Sequence, residues 1–330
     1  MNFFKKNKIF IIGEIGLNHD GSKKKCKLLI KKASDAKFDA VKLQISIPEE
    51  SYDKNTKSYK FFLKYNLSVN DLKEVKKYAK EKKIILFTTV GDIESIKYVR
   101  LLKSKIIKIS SGLLTNYPLI KKLAQLNLPM IISSGLAFKK DVNEAVKLIR
   151  KYNKKQLGIL VCTSIYPTND KQVKINAISE FKKIFKKNFI GYSDHSKDNL
   201  SAYISAGVGA QIIEKHITLK RKKLGDHKFS LESHEFKEFI QNIRRIELMN
   251  QKKNLPLKKE IILRKSIHRF IVAKKNIDVG EKINLNNIGL KRTLDKSEGI
   301  NNKYFEKIIG KVTKQKIKKD TKIKRKQLVL

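Results

Sequence analysis

The sequence predicts a barrel of eight βα units followed by a small, mostly β domain. Three observations support this fold. Short apolar, β-rich runs alternate with longer amphipathic, lysine-rich segments eight times between residues 8 and 250. Eight such units in about 250 residues is the usual size of a (β/α)8, or TIM, barrel. After residue 250 the helix-length periodicity stops and short β-like stretches replace it.

The predicted elements alternate regularly along the barrel. We place strands at 8–13, 39–45, 84–88, 105–109, 129–133, 157–162, 189–192 and 210–216. We place helices near 22–36, 68–82, 92–103, 115–126, 139–152, 174–187, 198–208 and 232–249. A doubly wound open sheet is the alternative, but no G-x-G-x-x-G opens the first helix and the spacing stays regular throughout.

The change in periodicity after residue 250 sets the predicted domain boundaries. We expect a barrel domain at 1–250, a linker at 251–264 marked by Asn254 and Pro256, and a small domain at 265–330. Within the small domain, 277–283 and 317–323 are similar turns flanked by isoleucines, which indicates an internal repeat.

The charge of the chain is its most unusual global property. Seventy-five Lys and Arg against 31 Asp and Glu give a formal net charge of +44, which ordinarily suggests nucleic acid or a membrane as partner. The lysines recur in nearly every helical segment instead of gathering on one element, so we expect a solvated surface and neither of those partners. No segment is apolar over the length that a bilayer requires.

Two cysteines are too few to suggest a disulfide framework. Cys26 and Cys162 have no metal-binding spacing, and so few cysteines in a chain of this size favour a reduced, cytoplasmic setting. Cys162 lies in an apolar run, so we expect it to pack in the core.

Every predicted strand ends in polar residues, and barrel enzymes place their chemistry at the carboxyl ends of the strands. In chain order these residues are Glu14, Asn18 and His19; Lys42 and Gln44; Thr88 and Thr89; Lys108, Ser110 and Ser111; Ser133 and Ser134; Thr163, Ser164 and Tyr166; Ser193, Asp194 and His195; and Glu214 and His216. Eight polar ends in register predict an active site there.

Two lysines inside apolar strands indicate an anionic ligand. Lys42 and Lys108 would bury ammonium groups, which is costly unless an anion compensates them. With the many hydroxyls nearby, they favour a phosphate or carboxylate ligand. Two alternatives remain: each lysine extends outward or pairs with a carboxylate, or a desolvated lysine forms a Schiff base, as in an aldolase.

Two histidines on neighbouring strands favour a metal ion. His195 and His216 follow the last two strands at the same level, where both imidazoles could reach one ion and leave positions open for water and substrate. A single strand histidine is more often a hydrogen-bonded core residue, so this hypothesis depends on the pair.

Several motifs resemble those of the sialic acid synthases, which condense phosphoenolpyruvate with an N-acylated amino sugar. In the barrel these are GEIGLNH at 13–19, VKLQ at 41–44, KISSG at 108–112, TNYPL at 115–119, CTSIYPT at 162–168, GYSDH at 191–195, EKHIT at 214–218 and DHKFSLE at 226–232. In the tail, IVAKKNI at 271–277, VGE at 279–281, LKR at 290–292 and IGKV at 309–312 resemble the antifreeze-like (SAF) domain of the same family.

The resemblance implies a TIM barrel joined to an SAF domain in a domain-swapped homodimer, and it implies specific roles. His195 and His216 would bind Mn²⁺, or else Mg²⁺ or Co²⁺, which would contact the sugar aldehyde. Glu14 would be the catalytic acid or base, and Lys42 and Lys108 would stabilise the anionic intermediate. The implied phosphoenolpyruvate ligands are Lys42, Thr89, Lys108, Ser111, Ser133 and Ser193. The implied sugar ligands are Ser164, Tyr166 and Asp226, with Arg292 reaching the N-acyl group from the neighbouring chain.

Three departures from the family pattern affect the acceptor side. Leu113 replaces a usual Glu, the loop before Asp226 reads Lys-Leu-Gly, and Arg292 is followed by Thr293-Leu294 instead of Pro-Gly. Ser164, where some members of the family have Asn, allows two acceptors: N-acetylmannosamine, which would give N-acetylneuraminate, or a 6-deoxy diacetamido sugar, which would give legionaminic or a related acid. A reading of the small domain as a module that binds ice or nucleic acid leaves the polar strand ends unexplained.

Overall fold

Eight parallel strands close on themselves in the first part of the chain. The computed structural model describes residues 2–329, apart from the Lys265 side chain. The strands are β1 (Phe10–Gly16), β2 (Ala40–Ile45), β3 (Ile85–Val90), β4 (Ile107–Ile109), β5 (Met130–Ser133), β6 (Leu157–Cys162), β7 (Phe189–Asp194) and β8 (Ile212–Thr218). Each pairs in parallel with the next and β8 pairs with β1, which confirms the predicted barrel. A short β9 (Leu231–Glu232) continues the sheet beside the end of β8.

The helices surround this barrel. They are α1 (Lys23–Asp35), α2 (Pro48–Ser51), α3 (Lys57–Tyr65), α4 (Val69–Glu81), α5 (Ile96–Leu101), α6 (Tyr117–Ala124), α7 (Lys139–Tyr152), α8 (Asn176–Ile184), α9 (Leu200–Gly207) and α10 (Phe236–Met249). All eight predicted helices are present. The sequence does not predict α2 and α3, which occupy the connection from β2 to α4. Helix α3 begins where the Thr56 hydroxyl accepts a hydrogen bond from the Tyr59 amide at 3.1 Å, an N-cap.

The barrel interior is arranged in an apolar layer below a polar one. Alternate strand residues point inward, and the lower positions carry Phe10, Ile12, Ala40, Phe87, Ile106, Ile131, Leu160 and Ile212, with Phe4 packed against them from the N-terminal segment. A larger apolar layer lies between the outer faces of the strands and the helices. On most strands a polar side chain follows two residues further along, as Glu14 follows Ile12 and Glu214 follows Ile212.

Contacts divide the chain into two units, Met1–Gln251 and Lys252–Leu330. The second contains α11 (Lys258–Ile267), the antiparallel strands β10 (Phe270–Ala273) and β11 (Ile288–Lys291), and α12 (Phe305–Ile308). The sequence predicts a linker at 251–264, and α11 begins within that range. It begins just after Pro256, the Glu260 carboxylate accepts a hydrogen bond from the Leu257 amide, and its residues are mostly good helix formers.

The predicted repeat in the second unit has a structural counterpart. Ile277 and Ile317 exchange two backbone hydrogen bonds of 2.9 Å. Both turns contain a residue in the left-handed region, Gly280 with φ of 84° and Asp320 with φ of 60°. The flanking isoleucines of both segments are buried in one core. Among residues 2–329, no helix combines the length and the apolar character needed to cross a bilayer.

Candidate active site

The polar layer of the barrel brings four buried charged side chains together. Glu14, Lys42, Lys108 and Glu214 are all at most 3% exposed. They come from β1, β2, β4 and β8, which only the barrel interior can bring into contact. Glu14 is paired in register with Lys42 on one side and with His216 on the other.

These four groups form an alternating cluster of two ammonium groups and two carboxylates, here called the interior cluster. Lys42 contacts Glu14 and lies 3.6 Å from Glu214 Oε2, while Lys108 lies 3.7 Å from Glu214 Oε1. Lys42 also donates to Thr89 at 3.1 Å, Lys108 donates to Ser133 at 2.7 Å, and Ser193 donates to Glu214 at 3.1 Å. The alternative in which each buried lysine pairs with a carboxylate therefore describes this structure.

The cluster is incompletely satisfied. Within the described part of the chain, neither carboxylate oxygen of Glu14 accepts a hydrogen bond of adequate geometry, and Glu214 Oε2 accepts none. Buried polar atoms normally have partners, so orphaned ones call for an explanation. A bound anion that paired with the two lysines, and a water that donated to the carboxylates, would give these oxygens partners.

Burial and mutual charge set the protonation states of the cluster. Burial raises the pKa of Glu14 to about 7 against the opposing effect of Lys42, and Glu214 adds to the rise. Burial also raises the pKa of Glu214, but Lys108 and Lys42 outweigh it, so the net direction is down. For Lys108 burial dominates and lowers the pKa. Of the four groups, Glu14 is thus the one whose pKa is raised toward neutrality.

The two predicted metal ligands lie next to this cluster and face each other. The imidazole centroids of His195 and His216 are 5.3 Å apart. His195 Nδ1 is 2.8 Å from the Thr163 carbonyl, which leaves Nε2 for a ligand, and His216 Nδ1 has no hydrogen-bond partner among residues 2–329. Burial lowers the pKa of His216 well below its usual range, and His195 lowers it further. A neutral buried imidazole with a free nitrogen fits a metal ligand.

Cys162 is buried, as expected, and its thiol also lies against polar groups of this site. Its thiol is 3.7 Å from His195 Nδ1, 3.5 Å from Ser111 Oγ and 3.9 Å from Ser164 Oγ. The apolar run around it conceals that Cys162 lies two residues beyond Leu160, an inward-facing residue. The i, i+2 alternation of the strand was the available signal.

The predicted sugar ligands of the barrel surround the histidine pair. The Tyr166 ring lies 4.4 Å from the His195 ring, and Asp226 Oδ2 is 3.5 Å from His216 Nδ1. The structure also places the six residues predicted for phosphoenolpyruvate around the upper barrel interior, where Ser111 contacts Cys162. Their roles toward a ligand stay predictions.

Arg292 and Leu113 are the remaining residues of the predicted acceptor side. Arg292 is exposed in the second unit, where its Nε donates to the Ile267 carbonyl at 3.0 Å. Leu113 ends the turn Ser111–Leu113 and packs against the layer between strands and helices. Glu214, which the sequence places at a strand end without a predicted role, is central to the interior cluster.

One other group of potential metal ligands occurs among the described residues. Glu232, His234 and Glu235 each have an atom within 4.8 Å of the others. Glu232 accepts from the Arg221 amide and Glu235 from Arg221 Nη2, at 2.7 and 3.0 Å. These carboxylates are already engaged, so the histidine pair remains the better candidate.

This chain is similar to known proteins along nearly its whole length. The NeuB family matches residues 29–254, and the SAF domain matches residues 268–329. The chain is 36% identical to an uncharacterised protein of Methanocaldococcus jannaschii over 94% of this chain and 90% of that protein. It is 34% identical to N,N'-diacetyllegionaminic acid synthase of Campylobacter jejuni over 95% and 98%. The crystal structure of N-acetylneuraminic acid synthetase from Leptospira borgpetersenii in complex with citrate superposes with a TM-score of 0.74 at 31% identity, covering 79% of this chain and 93% of that one.

Proposed function

Because this chain belongs to the NeuB family, we propose that it condenses phosphoenolpyruvate with the open-chain aldehyde of an N-acylated amino sugar, forming a nonulosonic acid and phosphate. The observation that carries the proposal is the interior cluster. Two buried lysines with adjacent hydroxyls suit a ligand that bears both a phosphate and a carboxylate, and a histidine pair lies beside them.

The reaction joins two carbons and releases phosphate by carbon–oxygen cleavage. The methylene carbon of phosphoenolpyruvate attacks the aldehyde carbon, whose oxygen becomes a hydroxyl. Water then adds to the cationic carbon that bears the phosphate ester. Breaking the bond between that carbon and the bridging oxygen expels inorganic phosphate and leaves a keto acid.

Each part of the cluster suits one task in this sequence. Lys42 and Lys108, with Thr89 and Ser133, would hold the phosphate and the carboxylate and offset the developing negative charge. Glu14, with a pKa of about 7, can accept a proton from the attacking water at neutral pH. His195 and His216 would hold a divalent ion, Mn²⁺ as first choice, which when bound supplies Lewis-acid polarisation of the aldehyde.

Two acceptors fit the family. N-acetylmannosamine would give N-acetylneuraminate, and similarity to the legionaminic acid synthase of Campylobacter jejuni favours a 6-deoxy diacetamido sugar as the alternative. The lowered pKa of Lys108 is the observation that keeps a Schiff-base aldolase as a second candidate function.

The test is to incubate the purified protein with phosphoenolpyruvate labelled with ¹⁸O at the bridging oxygen and with each sugar, in Mn²⁺ or in EDTA. We expect sugar-dependent release of labelled phosphate, loss of that release in EDTA, and a product mass equal to the keto acid. No release with any amino sugar, or label retained in the product, would contradict the proposal. A lysine adduct trapped by borohydride would support the aldolase.

A further inference from the structure

The two histidines of the candidate metal site each follow a member of one buried ion pair. Asp194 precedes His195 at the end of β7, and Lys215 precedes His216 within β8. The Lys215 ammonium donates to the Asp194 carboxylate at 2.6 Å, and both residues are at most 1% exposed. A salt bridge therefore joins the two strands one residue before the two imidazoles.

The backbone pairing of β7 with β8 ends before the histidines. Asp194 and Lys215 are the last pair in register between these strands, and β7 ends at Asp194. His195 therefore lies in a loop, whereas His216 lies in a strand that continues to Thr218. Because the register of the two strands does not extend to His195, other bonds must hold it beside His216.

The Lys215 side chain supplies bonds of this kind. Its ammonium also donates to the carbonyls of Ser196 and Asp198, at 2.7 and 2.6 Å, in the loop directly after His195. Among residues 2–329, no other side chain of β8 bonds to this loop. Lys215 thus holds the chain on both sides of His195, through Asp194 before it and through the two carbonyls after it.

The Asp194 carboxylate closes a turn around His195. Its Oδ1 accepts a hydrogen bond from the Ser196 amide at 2.9 Å, which spans His195 and fixes the backbone there. The Ser196 and Ser201 hydroxyls donate to the same oxygen, each at 2.8 Å. The His195 ring is oriented separately by the Thr163 carbonyl, 2.8 Å from Nδ1. The ion pair connects this ordered turn to β8.

Stability alone does not explain such an ion pair. Burying an ammonium and a carboxylate carries a large desolvation cost, and apolar residues of similar volume often stabilise a protein equally well. Directional bonds differ from apolar packing because they fix the positions of the atoms that they join. Metal ligands need this, since loss of the groups that orient them typically lowers metal affinity by about 10 to 100-fold.

We propose that Asp194 and Lys215 are positioning residues for the metal site. Their ion pair sets the separation of His195 and His216 and thereby raises the affinity for a divalent ion. Both side chains lie on the outer face of their strands, where they contact neither the ion nor a substrate. The inference rests on the proposed function, in which the histidine pair binds the metal.

The experiment measures Mn²⁺ binding to the metal-free protein by titration calorimetry, for the wild type and for Asp194→Asn. The amide keeps the shape of the carboxylate, and its oxygen can still accept from Ser196 and Ser201, but its NH2 group cannot accept from Lys215. We expect the Kd for Mn²⁺ to rise about 10 to 100-fold. Binding of phosphoenolpyruvate in EDTA should be unchanged, because the interior cluster is intact.

A variant at the other end of the barrel separates positioning from general destabilisation. Arg244 bonds to Asp39, directly before β2, and to Glu247, at 2.7 and 2.8 Å. Arg244→Met should lower stability but bind Mn²⁺ like the wild type. Ser201→Ala removes only one donor to Asp194 Oδ1, so Mn²⁺ binding can be measured even if Asp194→Asn folds poorly. It should raise the Kd in the same direction by a smaller factor.

The outcomes separate this inference from the proposed function. Equal Mn²⁺ affinity in the wild type, Asp194→Asn and Ser201→Ala would overturn the inference and leave the proposed function intact. An equal rise in Kd in Arg244→Met would also overturn it, because loss of stability would then explain the effect. Failure of the wild type to bind Mn²⁺ would overturn the metal site of the proposed function and this inference with it.

Discussion

Strand β8 carries two buried charged side chains in succession, and their surroundings differ. Glu214 faces the barrel interior, where it joins Lys42 and Lys108 at 3.6 and 3.7 Å. Lys215 points to the outer face, where it donates to the Asp194 carboxylate at 2.6 Å and to the carbonyls of Ser196 and Asp198 at 2.7 and 2.6 Å. Both are at most 3% exposed, so burial alone does not distinguish them.

The difference lies in how completely the polar atoms are satisfied. Lys215, Asp194 and the groups bonded to them are here called the outer cluster. Asp194 Oδ1 accepts from the Ser196 amide and hydroxyl and from the Ser201 hydroxyl, and Oδ2 accepts from Lys215. In the interior cluster, Glu14 Oε1 and Glu214 Oε2 accept no hydrogen bond from the described residues, and Glu14 Oε2 has only its contact with Lys42. The saturated ion pair uses all of its polar atoms to fix a loop, whereas the unsaturated one leaves carboxylate oxygens to which water or a ligand can bind.

The largest expected effect is on turnover, from Glu14→Gln. This change keeps the shape of the side chain but removes the group that exchanges a proton, so we expect phosphate release to fall by about 10² to 10⁴-fold. Mn²⁺ binding by titration calorimetry should be unchanged, because both histidines remain. Unchanged turnover would remove Glu14 from the reaction.

A comparison of Lys215→Met with Lys108→Met tests the contrast between the clusters directly. Lys215→Met leaves the Asp194 carboxylate buried without its cation, so the free energy of unfolding should fall by about 3–5 kcal/mol. Lys108→Met should lose less than half as much, because Glu14 can take up a proton and restore the charge balance. Its kcat/KM for phosphoenolpyruvate should nevertheless fall by about 100-fold or more.

Urea denaturation and steady-state kinetics on the same preparations measure both effects. Equal losses of stability in the two variants would show that both clusters are structural, and the inference from unsatisfied oxygens would then be wrong.

The interior site was largely predictable because one rule places it. Residues two apart on a strand share a face, so Ile12 and Glu14, Phe87 and Thr89, or Ile212 and Glu214 must lie in successive layers once the barrel is known. The same rule applied strictly to Leu160 and Cys162 would have placed the thiol in the site. Its apolar neighbours suggested core packing instead.

Features that depend on loops were not predictable in the same way. The outer cluster requires carbonyls of Ser196 and Asp198, and backbone groups carry no residue-specific signal. Helix α3 is short and lies in a long connection, where the alternation of strands and helices gives no guide. Four separate segments of the chain, α3 among them, line a cavity between α3 and the turn Gly225–Lys228. Only the packed structure shows that these segments meet.

The smallest expected effect is the pH dependence of stability, and it tests whether the charged form of Glu14 is unfavourable in the folded protein. Folding raises the pKa of Glu14 from 4.5 to about 7. Between these values the folded state holds more protons than the unfolded chain, so the contribution of Glu14 to the free energy of unfolding falls as pH rises and is constant above about 7.

His19 gives the opposite slope in an overlapping range. Burial lowers its pKa from 6.5 to about 4, so the unfolded chain holds more protons there and stability rises with pH. His19 contributes equally to wild type and to Glu14→Gln, so its effect cancels when the two free energies of unfolding are subtracted. We expect that difference to shift in favour of the variant from about pH 5 to about pH 8. A difference that does not vary with pH would mean that Glu14 is as well accommodated as Asp194, and the two clusters would no longer differ in kind.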